Sequence, residues 1–203
     1  MTTARWHNAG LTMATLTGAA IAEVIPDVAA LRIAVFRDFP YLYDGDLAYE
    51  RAYLATLSES PRAITVIARH GARIVGASTG VPLIEAGAEW AAPFRAAGLP
   101  VENRFYCAES VLLTPWRGLG VGHAFFDARE SHARGLGMTE ACFCSVIRPE
   151  NHPARPAGYR SNHVFWKKRG YAPLSGIIAR FPWCDIGEAT ETEKQLQFWG
   201  RRL

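Results

Sequence analysis

Apolar positions change their period several times along the chain, and each change marks an element. Val24, Val28, Leu31 and Val35 recur at i, i+4, i+7 and i+11, one face of a helix. Pro26 falls near the first turn of that helix, where a missing N–H does no harm. Residues 13–17 ahead of it read as a short strand. Residues 46–57 read as a second helix that stops before Pro61. Two β-branched runs, 63–68 and 73–81, flank Arg69-His70-Gly71-Ala72 and predict a hairpin, with Gly71 able to take positive φ. Residues 84–104 are rich in Ala, Gly and Pro and break the pattern. They read as an insertion or a substrate-side flap, with a short helix over 89–97.

FYCAESVLL (105–113) reads as a strand. GVGHAFFDARESHARG (120–135) reads as a helix with Val121, Ala124, Phe125 and Ala128 on one stripe, and Gly135 and Gly137 able to end it. EACFCSVI (140–147) is a near-continuous apolar run, as a strand covered on both faces should be. Strand, helix and strand with short links predict a right-handed crossover between parallel strands. A loop with three prolines follows at 148–160. After it the pattern predicts a short helix stopped by Gly170, a strand pair around 171–182 and a helix around 188–199.

Composition bounds the function. The chain has 203 residues, 49% hydrophobic and 20% charged, which suits one domain (1–203) with a buried core. The net charge is +3, and no Lys/Arg cluster is interleaved with aromatics. That argues against a nucleic-acid surface and leaves a small anionic ligand compatible. No apolar run is long enough to span a bilayer, and MTTARWHNAG lacks the apolar region of a signal peptide. A cytoplasmic protein with no membrane partner is expected. Cys107, Cys142, Cys144 and Cys184 form no CxxC pair and read as buried reduced thiols, so neither a disulfide nor a metal site is expected.

The candidate chemistry lies in LTPWRGLGVGHA (113–124), where the predicted strand ends and the helix begins. The first N–H groups of a helix have no internal partners, and its dipole adds positive potential there. Gly118, Gly120 and Gly122 would let a ligand approach the backbone, and Arg117 would add a charge-assisted contact to a phosphate. The bland alternative is a flexible connector with a surface arginine. A Walker loop is excluded because His123, not Lys-Ser/Thr, follows Gly122. A dinucleotide fingerprint fails because the third glycine comes one residue early and the unit lies mid-chain.

Arg117-Gly118-Leu119-Gly120-Val121-Gly122 resembles the Arg/Gln-x-x-Gly-x-Gly/Ala motif of the GNAT superfamily of acyl-CoA-dependent N-acetyltransferases. Phe165-Trp166-Lys167-Lys168-Arg169-Gly170-Tyr171 is similar to the ending of the family's fourth helix. The order of elements agrees over roughly 12–182, leaving 183–203 as a C-terminal segment. The resemblance implies an α/β (α+β) fold: a mixed, mostly antiparallel central sheet, a parallel βαβ unit splayed at the cofactor site, and helices on both faces.

It also implies a site. The coenzyme A pyrophosphate would sit on the N–H groups of Arg117, Gly118, Leu119, Gly120, Val121 and Gly122. The pantetheine arm would pair with Val111, Leu112 and Leu113, in a gap between strands 105–113 and 140–147. Acetyl-CoA would be the cosubstrate and a small-molecule primary amine the acceptor, with direct transfer in a ternary complex. Glu109 would accept the amine proton, since burial makes a carboxylate a readier base. Its alternative is a solvated or salt-bridged glutamate. The Val111 N–H would meet the oxyanion. An asparagine ahead of the helix would face the pantetheine; Asn162 is preferred to Asn151 for this, and its alternative is a helix cap. Trp166 stands where the family has a tyrosine that protonates the leaving thiolate, and an indole is no acid at neutral pH. Tyr159, Ser161 or water would have to substitute.

Arg148, Arg155 and Arg160 are candidates for an acceptor carboxylate, or ordinary solvated charges. Trp90, Phe94, Tyr41 and Tyr43 would line the acceptor pocket or belong to the core. A homodimer through edge strands or the C-terminal segment is compatible with the resemblance. A non-catalytic acyl-CoA sensor, or a binder of another diphosphate, stays open beside the enzyme.

Overall fold

A computed structural model describes residues 5–203. In chain order the elements are α1 (Arg5–Asn8), β1 (Leu11–Leu16), α2 (Ile25–Phe36), α3 (Leu47–Glu59), β2 (Ile64–His70), β3 (Arg73–Pro82), α4 (Ala88–Ala96), β4 (Arg104–Tyr106), β5 (Ser110–Leu112), α5 (Val121–Gly135), β6 (Glu140–Val146), α6 (His163–Lys168), β7 (Ala172–Trp183) and β8 (Thr192–Arg202). They build one eight-stranded sheet in the order β1-β2-β3-β4-β6-β8-β7, with β5 beside β3. Every pairing is antiparallel except β4–β6, which α5 joins as a parallel crossover.

Alternate strand residues divide the core between two faces. On one face Ala141 and Phe143 of β6 pack with Phe105, Phe125, Phe126, Tyr171 and Trp199, under α5 and α6. On the other, Cys142 and Cys144 pack with Tyr106, Phe94 and Phe198 under α4. Val111 and Ala77 lie on that second face too, covered by Val28 and Leu31 of α2 and Leu54 and Leu57 of α3. Pro26 stands at the start of α2 and Asp46 caps α3 by accepting from the Tyr49 N–H at 2.8 Å.

Three expectations are corrected. Residues 188–199 are no helix: β8 runs through them and sits inside the sheet between β6 and β7. Leu196 and Phe198 point to one face and alternate with Gln195 and Gln197, a period of two. The core therefore extends through the segment 183–203 and does not stop at 182. Residues 171–182 are one long strand, β7, bulged between Pro173 and Ile178 where it pairs with β8. Finally, 105–113 is two short strands with a break at residues 107–109. The region 84–104 contributes to the core: Phe94 of α4 is 0% exposed and meets Phe198 edge-on at 4.8 Å.

Candidate functional site

The break between β4 and β5 opens the site. Cys107 still donates to the Cys142 carbonyl at 2.8 Å. Beyond it β5 pairs only with β3, while β6 continues beside β8. Two parallel neighbours thus diverge, and a cleft of about 1770 Å³ lies along their divergence. Thr79 N–H donates to the Glu109 carbonyl and Leu113 N–H to the Val75 carbonyl, so odd-numbered residues here turn their main chain toward β3. By the alternation of an antiparallel ladder, Val111 does the same, and Ser110 and Leu112 present theirs to the gap.

At one end of the cleft lies the glycine turn. Gly118 and Gly120 have φ of +78° and +91°, which any other residue would adopt only under strain. Gly122 is in the first turn of α5, which carries no acidic side chain. Among the described residues, the N–H groups of residues 118–122 donate to no protein acceptor; His123 is the first that does, to the Gly120 carbonyl. Five free donors around alternating left-handed glycines form a concave anion nest, reinforced by the helix dipole. This donor set fits a diphosphate. Arg5 lines the same end, and Trp6 lies over Gly120. Arg117 turns away from the turn: its Nε donates to the Leu112 carbonyl at 3.0 Å and its Nη2 lies 3.8 Å from Asp38.

Glu109 lies on the other face, beneath α2. Its Oε1 accepts from Thr79 Oγ1 at 2.6 Å and its Oε2 from Arg32 Nη1 at 2.6 Å. Arg32 also pairs with Glu50, which is 0% exposed and has one carboxylate oxygen without a partner. The Arg32 guanidinium lies 4.6 Å over the Tyr53 ring. Burial alone would lower the pKa of Arg32, but Glu109, Tyr53 and Glu50 outweigh it and the net shift is upward. The group is a cation held between two buried carboxylates. Around it, burial raises the Tyr41 and Tyr106 phenols and pushes the Cys144 thiol up to about 12, so these stay neutral.

Arg129 of α5 is 1% exposed and enters from the opposite face. Nη1 donates to the carbonyls of Thr79 (3.1 Å) and Glu109 (3.0 Å), Nε to the Phe125 carbonyl (3.2 Å) and Nη2 to Ser110 Oγ (2.8 Å). It thereby holds β3 and the β4–β5 break in their offset positions. The sequence reading missed both arginines. The signal was present: Arg32 is four residues from Val28, and Arg129 four from Phe125, so each charge falls on a buried stripe.

No family model and no curated protein matches the sequence. Solved structures match in shape. An acetyltransferase of the GNAT family from Streptococcus pneumoniae superposes with a TM-score of 0.58 at 10% identity, covering 95% of this chain and 99% of its own. A ribosomal-protein-alanine N-acetyltransferase from Brucella melitensis gives 0.60 at 12%, with coverages of 94% and 99%. An IAA acetyltransferase from Bacillus cereus gives 0.55 at 12%, with 95% and 99%. The fold is that of the GNAT superfamily. Identities this low carry the fold alone and leave both the reaction and any acceptor unassigned.

On this GNAT fold the residues singled out from sequence divide clearly. Glu109, Leu112, Arg117, Gly118, Leu119, Gly120, Gly122, Asn162 and Trp166 all line the cleft. Val111 and Val121 are buried in the two cores, and Leu113 packs beside them. Asn162 is exposed at the N-terminal boundary of α6 and makes no side-chain cap bond. Trp166 packs on Phe143 (4.8 Å) and Trp199 (5.2 Å). Of the loop arginines, Arg148 is committed to Asp185 through two bonds of 2.6 and 2.8 Å and to the Pro40 and Tyr41 carbonyls. Arg155 and Arg160 are exposed on the cleft, Arg155 over the Tyr159 ring. Tyr41 lines the cleft. Trp90 packs at a tilt against Phe181 and Tyr106, and Phe94 meets Phe198 edge-on, both outside the cleft.

Proposed function

We propose that the protein is an N-acetyltransferase that moves an acetyl group from acetyl-CoA to the primary amine of a small-molecule acceptor, by direct transfer in a ternary complex. One observation carries this reading: the divergence of β4 and β6 joins an anion nest at one end to a buried carboxylate at the other, with the main chain of Ser110 and Leu112 facing the gap between them. The acetyltransferase names of the fold neighbours agree with it.

The bound cosubstrate supplies an acyl group activated as a thioester. The N–H groups of residues 118–122 hold its pyrophosphate, and the main chain of Ser110 and Leu112 aligns its arm. Arg32 and Thr79 fix the Glu109 carboxylate, whose oxygens each keep a lone pair for the amine proton. One guanidinium between two carboxylates leaves this buried group one carboxylate in excess, which favours an amine cation beside Glu109. Phe36, Phe39, Tyr41 and Tyr159 wall that side, matching an acceptor with an apolar body.

The test is thiol release from acetyl-CoA against a panel of amines, with Glu109→Gln beside the wild type. Amine-dependent release that falls about 100-fold in the variant is expected. Saturable binding of acetyl-CoA with no release by any amine would instead favour a non-catalytic acyl-CoA sensor, the reading motivated by Trp166 in place of the family's tyrosine.

A further inference from the structure

Arg129 is a buried cation without a counter-charge. All four of its acceptors are neutral, three carbonyls and one hydroxyl, and among the described residues it forms no ion pair. Burying a guanidinium without an ion-pair partner is costly, and an anion bound near it lowers that cost. Arg129 lines the cleft on the face that carries α5 and the glycine turn. The Glu109, Arg32 and Glu50 group lies across the sheet on the face of α2. The gap between β5 and β6 therefore has two carboxylates sharing one guanidinium on one side and a guanidinium without an ion pair on the other.

Ser110 connects Arg129 to the gap. Its Oγ accepts from Arg129 Nη2 at 2.8 Å, and among the described residues it donates to nothing. The residue is exposed to the cleft. A hydroxyl that accepts from a guanidinium becomes a stronger donor through its own O–H. Acyl transfer builds negative charge on the acyl oxygen and on the sulfur. The fixed main-chain donors of the strand suit the oxygen. The Ser110 hydroxyl projects to the α5 side, the side of the phosphate nest and so of the entering arm, whose last atom is the sulfur.

We propose that Ser110, polarised by Arg129, is the hydrogen-bond donor to the leaving sulfur. This rests on the acetyl-CoA reading above. The amine nitrogen bonds to the thioester carbon and its proton passes to the Glu109 side. The carbon–sulfur bond breaks and its electron pair goes to sulfur. The thiolate is held by the Ser110 O–H and takes a proton from water on release. Ser110 is the catalytic residue in this step, and Arg129 is a positioning residue that acts through it. Trp166 is then free of any acid role.

The experiment titrates the thiol of coenzyme A bound to the intact protein, read by the ultraviolet absorbance of the thiolate, in wild type, Ser110→Ala and Ser110→Thr. In wild type the bound thiol should ionise at least about one pH unit below free coenzyme A. Ser110→Ala should return it toward the free value, and Ser110→Thr should keep the shift. With acetyl-CoA and an accepted amine, Ser110→Ala should lower kcat about 100-fold while coenzyme A affinity stays within about twofold. A bound thiol that titrates like free coenzyme A, or a shift that Ser110→Ala leaves intact, overturns the inference while amine-dependent turnover keeps the enzyme reading. Failure of the wild type to bind coenzyme A overturns both.

Discussion

Arg129 donates to the main-chain carbonyl of Glu109 at 3.0 Å, from the face of the sheet opposite to the one where Arg32 holds the Glu109 carboxylate. The same nitrogen reaches Thr79 on β3. One side chain from α5 thus clamps the place where β4 gives way to β5.

Removing the clamp should unfold more than it empties. Arg129→Met takes one of two donors from the carbonyls of Thr79 and Glu109, which keep the N–H groups of Ala108 and Thr79, and each lost bond is worth about 0.5–1.5 kcal/mol. Urea unfolding should show a loss of about 1–3 kcal/mol. A loss below about 1 kcal/mol would mean that the β4–β5 break holds its shape unaided.

Arg32→Met strands two buried carboxylates beside each other. The expected cost is about 3–5 kcal/mol at neutral pH. Adding Glu50→Gln should recover much of it, because one of the two charges is then gone. Equal stabilities for the single and double variants would show that Glu50 and Glu109 are not coupled through Arg32.

Two glycines of the turn should respond differently. Gly120→Ala puts a Cβ on a residue at φ +91°, at a cost of about 1–2 kcal/mol, and distorts the nest. A Cβ on Gly122 meets only the Phe165 ring, at 3.4 Å, in a helical turn. Gly122→Ala should leave stability within about 0.5 kcal/mol yet weaken coenzyme A at least about 10-fold by calorimetry, since the methyl group obstructs approach to the backbone. Unchanged affinity in Gly122→Ala would place the phosphates elsewhere.

Alkaline pH should destabilise the fold. The Cys144 thiol is pushed up to about 12 by burial, from 9.0 in an exposed chain. Burial also raises Cys107, Cys142 and the phenols of Tyr41, Tyr53 and Tyr106. The unfolded chain releases these protons first. Stability is therefore complete below about pH 9 and declines as pH rises toward 12, by at least about 1.4 kcal/mol per pH unit. Urea midpoints across this range check it. A flat profile would mean that the thiols and phenols meet solvent in the folded state.

Much of the architecture was legible in the sequence. The α2 stripe, the hairpin at Gly71 and the strand–helix–strand unit around Gly120 all follow from local periodicity. Strand β8 did not, because Gln195 and Gln197 alternate with Leu196 and Phe198 over too short a stretch to outweigh the polar residues before it. The break at residues 107–109 was hidden because nothing local causes it. It follows from bonds to Thr79 and Arg129, distant in sequence. The glycine turn could be read because it is contiguous. The charge group around Glu109 could not, since Arg32, Glu50 and Thr79 come from three separate elements.

Phe39 and Tyr159 meet edge to face at 4.7 Å, one on the loop after α2 and the other on the loop before α6. Neither belongs to the sheet, and both line the cleft. This end of the cleft is thus closed by two loops leaning on each other, while the nest and the Glu109 group are anchored in strands and helices. Descendants of this chain can exchange that pair of rings and so widen or narrow the opening, while the nest and the Glu109 group stay as they are.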